Sequence, residues 1–371
     1  MIRTITRSTI RRPEPAKEAD AVKEKMKENM MAKRRLIRIA FILCLVLLAA
    51  AGRSRCAVNK SEGGLIMDGG LFEASFQAAV RESGRPYLEA KQAILGMHAE
   101  ALPLLKAKQA PSSDWKTRLT ADILIGWLSQ QALFDQCTRY VKGELPGTPP
   151  ITGKFSVLHR ARAIVRLGKD TTPRLLEMLI KTHDYANDDE RAAIFGALLR
   201  IGDARAVKPL VELLQTSDDD GLRTSAAGAL GSFHDPEVVK ALRAVLVDKA
   251  KSAPLRASAA HSLGELKDSE SLSALEKILL EKTNAFELRK AAARAIEQVG
   301  DPRATATLVQ ALTATNDLVL LQVIVEALGT IGDHSSLAAL ERMAHHSDSH
   351  IREEARDARE KVLGRTHSAP K

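Results

Sequence analysis

The most regular polar residues in this sequence are four arginines, Arg191, Arg223, Arg256 and Arg289, spaced 32 or 33 residues apart. Twelve residues beyond each stands an aspartate: Asp203, Asp235, Asp268 and Asp301. A fifth aspartate, Asp333, keeps the interval, with Leu321 in the place of its arginine. A guanidinium is a permanent cation whose forked donors suit carboxylates and phosphates. Repeated at constant spacing, the arginines could form a stripe that meets an anionic partner. They could equally bridge to backbone groups of adjacent repeats, or to the loop carboxylates Asp188, Asp189 and Asp218 to Asp220. Bridged arginines are the commoner arrangement in stacked repeats, and both readings stand at this point.

Other chemistry is thinly represented. His345, His346, Ser347, Asp348, Ser349 and His350 form the densest polar cluster, of a composition able to bind a transition metal. The competing reading is a solvated loop whose Asp348 or Ser349 caps the next helix. Cysteines number three, with no CxxC spacing and no histidine adjacent to any of them. Cys44 falls in an apolar leader, and Cys56 and Cys137 could pair in an oxidising compartment. No GxSxG, phosphate-loop or HExxH motif occurs. No catalytic residue, cofactor site or metal site is assigned.

The elements that carry the two columns explain the spacing. Counted from the arginine position, residues +7 and +10 are always large and apolar: Leu198, Leu230, Leu263, Ile296 and Leu328, then Ile201, Phe233, Leu266, Val299 and Ile331. Residue +6 is always small: Ala197, Ala229, Ser262, Ala295 and Ala327. Offsets of three, four and seven share one helical face, so each unit opens with an amphipathic helix A. The small column permits close approach of neighbouring helices. Gly202, Gly300 and Gly332 sit where a left-handed C-cap residue is wanted. The aspartates follow as N-caps of a helix B, with Pro236 and Pro302 at its first position. Helix B has its own columns, Val207, Val239, Leu272, Thr305 and Leu337, then Leu210, Leu242, Leu275, Leu308 and Leu340. A fixed period of this length marks a stacked-repeat fold.

The segment LRKAAARAIEQVGDPRATATLVQAL, residues 288–312, resembles a HEAT repeat of the short, phycobilisome-lyase-like type. The shared pattern is an arginine opening an alanine-rich helix, an apolar-Gly-Asp-Pro turn and a leucine-rich helix. The resemblance covers about residues 156–362 and implies an all-α, right-handed solenoid. For activity it implies little, since such proteins include scaffolds, adaptors and a few enzymes. Deoxyhypusine hydroxylase, built from similar repeats, holds two irons on repeated His-Glu dipeptides. This chain contains none, the nearest being His98-Ala99-Glu100, so that activity does not transfer. A phycobilin lyase needs no such motif, but an export signal argues against a cytosolic pigment partner.

The remaining chain divides around the repeats. Residues 1–51 read as a leader whose apolar stretch, about 36–51, follows Lys33, Arg34, Arg35 and Arg38. Its charge-free run from Ile39 to Ala51 has signal-peptide length, against the ~20 residues of a membrane span. An uncleaved anchor is the rival, and either form exports the rest of the chain. Cys56 follows Arg55, which a lipoprotein signal does not tolerate. Residues 52–70 read as a linker, 71–145 as degenerate helical repeats or an N-terminal cap, 146–155 as a Pro/Gly-rich loop, 156–363 as the solenoid and 364–371 as a disordered tail. Eight of the twelve aromatics beyond the leader fall between Phe72 and Phe155, as a cap or a binding patch would require. The net charge is +9, but residues 1–60 hold 15 basic and 5 acidic residues, leaving the remainder at 40 against 41. That balance gives nucleic acid no basic surface to bind. The expectation is a non-enzymatic scaffold in the cell envelope, binding another protein, with membrane contact only through an uncleaved N-terminal segment; the alternative is an enzyme or enzyme-accessory protein, lyase-like or hydroxylase-like, on the same HEAT scaffold.

Overall fold

The repeat unit is an antiparallel helix pair, and it recurs because one pair alone leaves its apolar face bare. The computed structural model describes residues 69–144, 154–182 and 187–368, all within one compact unit, Met67–Lys371. The leader, most of the 52–70 linker and the 146–153 part of the loop lie outside the described residues. Among those described there is no strand, and no helix is long and apolar enough to cross a membrane.

The N-terminal part contains α1 (Gly69–Arg81), α2 (Gly84–Leu95), α3 (Ala101–Lys108), α4 (Trp115–Ser129) and α5 (Gln131–Val141). The first regular pairs follow: α6 (Lys154–Leu167) with α7 (Thr172–Glu177), then α8 (Asp188–Ile201) with α9 (Val207–Thr216). A π-helical turn, Met178–Thr182, extends α7. Next come α10 (Asp220–Leu230) with α11 (Pro236–Val247), and α12 (Ala253–Glu265) with α13 (Leu272–Leu280). The series continues through α14 (Phe286–Val299) with α15 (Thr305–Ala314) and α16 (Leu318–Ile331) with α17 (Leu337–Met343). It ends on α18 (Ser349–Ser368). The result is an all-α solenoid.

The A helices α6, α8, α10, α12, α14, α16 and α18 lie against one another in order, and the small column is what allows this. Ala197, Ala229, Ser262, Ala295 and Ala327 are all buried. Ser262 Oγ donates to the Ala227 carbonyl of the preceding A helix at 2.8 Å. At Gly264 a Cβ would stand 2.8 Å from the Ala295 Cα, so only hydrogen fits. The +7 column is buried throughout, and Leu210, Leu242, Leu275, Leu308 and Leu340 are fully buried from the B side.

Four aromatics of α1 to α5 face inwards, and Trp115, Trp127 and Tyr140 are half-buried. Phe72, Phe76, Tyr87 and Phe134 are buried, and a second apolar cluster runs from Phe72 to Leu124 beside the main one. The expected tail from Gly364 is instead helical to Ser368. Arg365 explains the extension, its guanidinium donating to the Gly329 and Gly332 carbonyls at 2.7 and 2.9 Å.

Candidate functional site

The aspartate column caps the turns. Asp203, Asp235, Asp268, Asp301 and Asp333 accept from the backbone N–H groups of Arg205, Glu237, Ser271, Arg303 and Ser335. These bonds satisfy donors that a helix start leaves open. Arginines reinforce three of the caps: Arg205 on Asp203, Arg243 on Asp268 and Arg303 on Asp301. Hydrogen bonds from the Arg303 side chain and backbone hold the Asp301 carboxyl below the usual carboxylate range. Burial works to raise Asp203, and Arg205 more than offsets it.

Before the aspartate, Gly202 and Gly300 adopt the left-handed conformation (φ 63° and 76°). Gly332 does not: its backbone is extended at φ −61° and ψ 145°. Its crowding is of another kind, because a Cβ there would lie 2.3 Å from the Leu328 carbonyl oxygen. Lys267, in the glycine position of its turn, is left-handed at φ 53°.

The arginine column divides in two. Arg256 Nε donates to the Leu246 carbonyl and Arg289 Nε to the Leu279 carbonyl, both at 2.9 Å. Each closes the C-terminal end of the helix B before it. Arg191 meets Asp219 of the next loop at 3.1 Å, and Arg223 meets Asp220 at 2.9 Å. In the fifth unit Leu321 is buried in the arginine's place. Arg160 and Arg352 extend the column, donating to the Val141 carbonyl at 3.2 Å and to the His346 and Ser347 carbonyls at 2.9 and 2.7 Å. Arg160 escaped sequence reading, although it stands 31 residues before Arg191 and the interval could have found it.

The histidine cluster serves the last helix. Asp348 caps Ile351 N at 3.1 Å, and His346 Nδ1 accepts from Asp348 N at 3.1 Å. Among the described residues no group of His, Cys, Asp and Glu is arranged to hold a metal ion. Cys137 is a buried free thiol, its pKa pushed by burial to about 12; Cys56 lies outside the described residues.

One polar constellation had no sequence signal of its own. Glu177 is fully buried, and its Oε1 accepts from Tyr87 Oη at 2.6 Å and Lys91 Nζ at 2.8 Å. Its Oε2 accepts from Trp127 Nε1 at 2.7 Å and Arg174 at 2.9 Å. Arg174 also donates to Thr138 Oγ1 at 2.8 Å, and Lys91 lies 3.8 Å from the Trp127 ring centroid. The carboxylate thus ties α2 and α4 to α7, and Arg174 of α7 links α5. Its donors lie 3 to 90 residues away in sequence, which hides them from any periodicity. The aromatic enrichment was the available hint, since buried Tyr and Trp need a polar partner.

Sequence comparison agrees with the architecture. The pattern of HEAT repeats matches residues 151–231, 222–287 and 278–359, together more than half of the chain. The chain belongs to the HEAT-repeat family. No curated protein matches it. Among solved structures, the complex of CpcE and CpcF of phycocyanin lyase from Nostoc sp. PCC7120 is similar, with 27% identity and a TM-score of 0.38. That match covers 42% of this chain and 65% of the other, just under two thirds of its length. Human deoxyhypusine hydroxylase in complex with glycerol is similar at 19% identity and TM-score 0.29, over 62% of this chain and 84% of that one. The E. coli protein YibA is similar at 16% identity and TM-score 0.34, over 72% and 98%.

Proposed function

We propose that this protein is a non-catalytic scaffold that binds another protein through the exposed ridge of its A helices. The observation that supports this is the employment of the repeated polar residues. The five aspartates cap turns, and Arg191, Arg223, Arg256 and Arg289 are engaged by loop carboxylates or backbone carbonyls of the chain itself. What remains on the surface varies from unit to unit, for example Arg200, His261, Arg294 and Glu326, all exposed. A regular frame carrying an irregular surface is suited to recognising one partner along its length. The apolar stretch Ile39 to Ala51 supports an extracytoplasmic site of action, exported or held by that segment.

Photo-crosslinking amino acids placed at His261, Arg294 and Glu326 test the reading in cells. One polypeptide captured from all three positions, and not from Lys277 on helix B, is the expected result. Capture no stronger than at Lys277, or a stoichiometric metal or cofactor in the purified protein, would overturn it. N-terminal sequencing tests the location: a chain beginning near Gly52 marks a cleaved signal, and an intact start in the membrane fraction marks an anchor. Full-length chain in the cytosolic fraction contradicts both.

A further inference from the structure

Within the row of A helices, positions +2 and +6 from the arginine column lie on the side that meets the preceding A helix. In α8 they are Ala193 and Ala197, both buried. In α12 they are Ser258 and Ser262, which donate to the Thr224 and Ala227 carbonyls of α10 at 2.9 and 2.8 Å. Helix α6 opens the row. Counted from Arg160, its two positions hold Arg162 and Arg166, and both are exposed. Small residues there would let a further helix of the same kind stack on this end, and two arginines obstruct it.

Neither guanidinium forms an ion pair or a side-chain hydrogen bond among the described residues, whereas Arg205, Arg243 and Arg303 are each held by a carboxylate. Helix α6 contains Lys154, Arg160, Arg162 and Arg166 and no Asp or Glu. Lys142, just after α5, and Lys169, in the turn after α6, are exposed as well. Against them stand two exposed carboxylates of α5 and that turn, Asp135 and Asp170, since Glu144 is taken by Arg139 at 3.1 Å. The even charge balance of residues 61–371 therefore conceals a local excess of positive charge at this end.

We propose that the exposed face of α6 docks an acidic segment of a partner protein, with Arg162 and Arg166 each forked onto a carboxylate. Residues four apart on a helix project side by side, with Cβ atoms about 5–6 Å apart, so the two forks can grip neighbouring carboxylates of one chain. A protein on duplex DNA commonly makes on the order of 6–10 phosphate contacts. Two free guanidiniums, with Lys142 and Lys169 beside them, fit a short acidic polypeptide instead. This surface is separate from His261, Arg294 and Glu326 on the ridge, and it stands or falls independently of capture there.

Carbodiimide coupling of a decaglutamate peptide to the full chain, mapped by mass spectrometry, tests the assignment, because the reagent joins a lysine amine to a carboxylate held against it. Coupling at Lys169 should exceed coupling at exposed Lys277 of α13 by about fivefold or more, and the excess should shrink as salt rises. In Arg162→Gln/Arg166→Gln the excess at Lys169 should disappear. The melting temperature should stay where it is, since neither side chain is buried or paired. Free oligothymidylate of matching charge should compete less well than free decaglutamate. Equal coupling at Lys169 and Lys277, an excess that survives in the double variant, or stronger competition by the oligothymidylate would overturn the proposal.

Discussion

Arg256 contributes through one short contact, Nε to the Leu246 carbonyl, made while the residue is only 6% exposed. Removing it strands a helix-end carbonyl, so Arg256→Ala should cost about 1–3 kcal/mol. Glu177 carries more, since four donors converge on it and two of them are cations. Glu177→Gln leaves Lys91 and Arg174 buried beside a neutral group and should cost about 3–5 kcal/mol, read from the urea midpoint. Lys267 points the other way. Its left-handed backbone is strained for an L side chain, so Lys267→Gly should stabilise by about 0.5–1 kcal/mol. The arginine period was legible because a period needs only counting. Its acceptors were not, because whether a guanidinium meets a carbonyl or a carboxylate depends on how the neighbouring inter-repeat loop runs. That loop ends in Asp219 and Asp220 in one unit and in Lys251 and Ser252 in the next.

At the scale of the helix, the columns read from sequence coincide with burial. Leu263 and Leu275 are fully buried, while Lys277 is exposed. Alanine at either leucine should cost about 2–5 kcal/mol, and alanine at Lys277 under about 0.5 kcal/mol. A Gly→Ala change inside a helix ordinarily helps by up to about 1 kcal/mol. At Gly264 the new methyl would meet Ala295 of α14 at 2.8 Å and the Gln298 amide oxygen at 2.3 Å. Gly264→Ala should therefore cost about 1–3 kcal/mol, a reversal of sign that equilibrium unfolding would detect. Helix identity was legible because the apolar period is strong. Helix ends were less so: Gly332 looked like a left-handed cap and is extended, and α18 outlasts its expected end because Arg365 finds carbonyls on the previous A helix. Those contacts are tertiary, and local composition does not encode them.

Across the whole molecule, stability should fall in acid through carboxylates that the fold holds ionised. A hydrogen bond from Ser252, then the Arg223 guanidinium, keeps Asp220 below its ordinary value. A carboxyl depressed in the folded state contributes stability above its unfolded pKa and loses it as pH falls through the folded one. Asp220→Asn should accordingly flatten the decline of the urea midpoint below about pH 4. The N-terminal helices were the part least legible in sequence. Their core is aromatic and aperiodic, and their tie to the repeats is the buried Glu177 cluster rather than a repeated column.

The central claim is that the arginine column belongs to the frame and the varied ridge to the partner. Arg256→Ala separates the two when one preparation is used both for denaturant melting and for photo-crosslinked capture at Arg294. The account predicts a midpoint lowered by the equivalent of about 1–3 kcal/mol, with capture unchanged under conditions where the variant remains folded. An unchanged or raised midpoint accompanied by loss of capture would contradict it, and would make the arginine edge the binding surface.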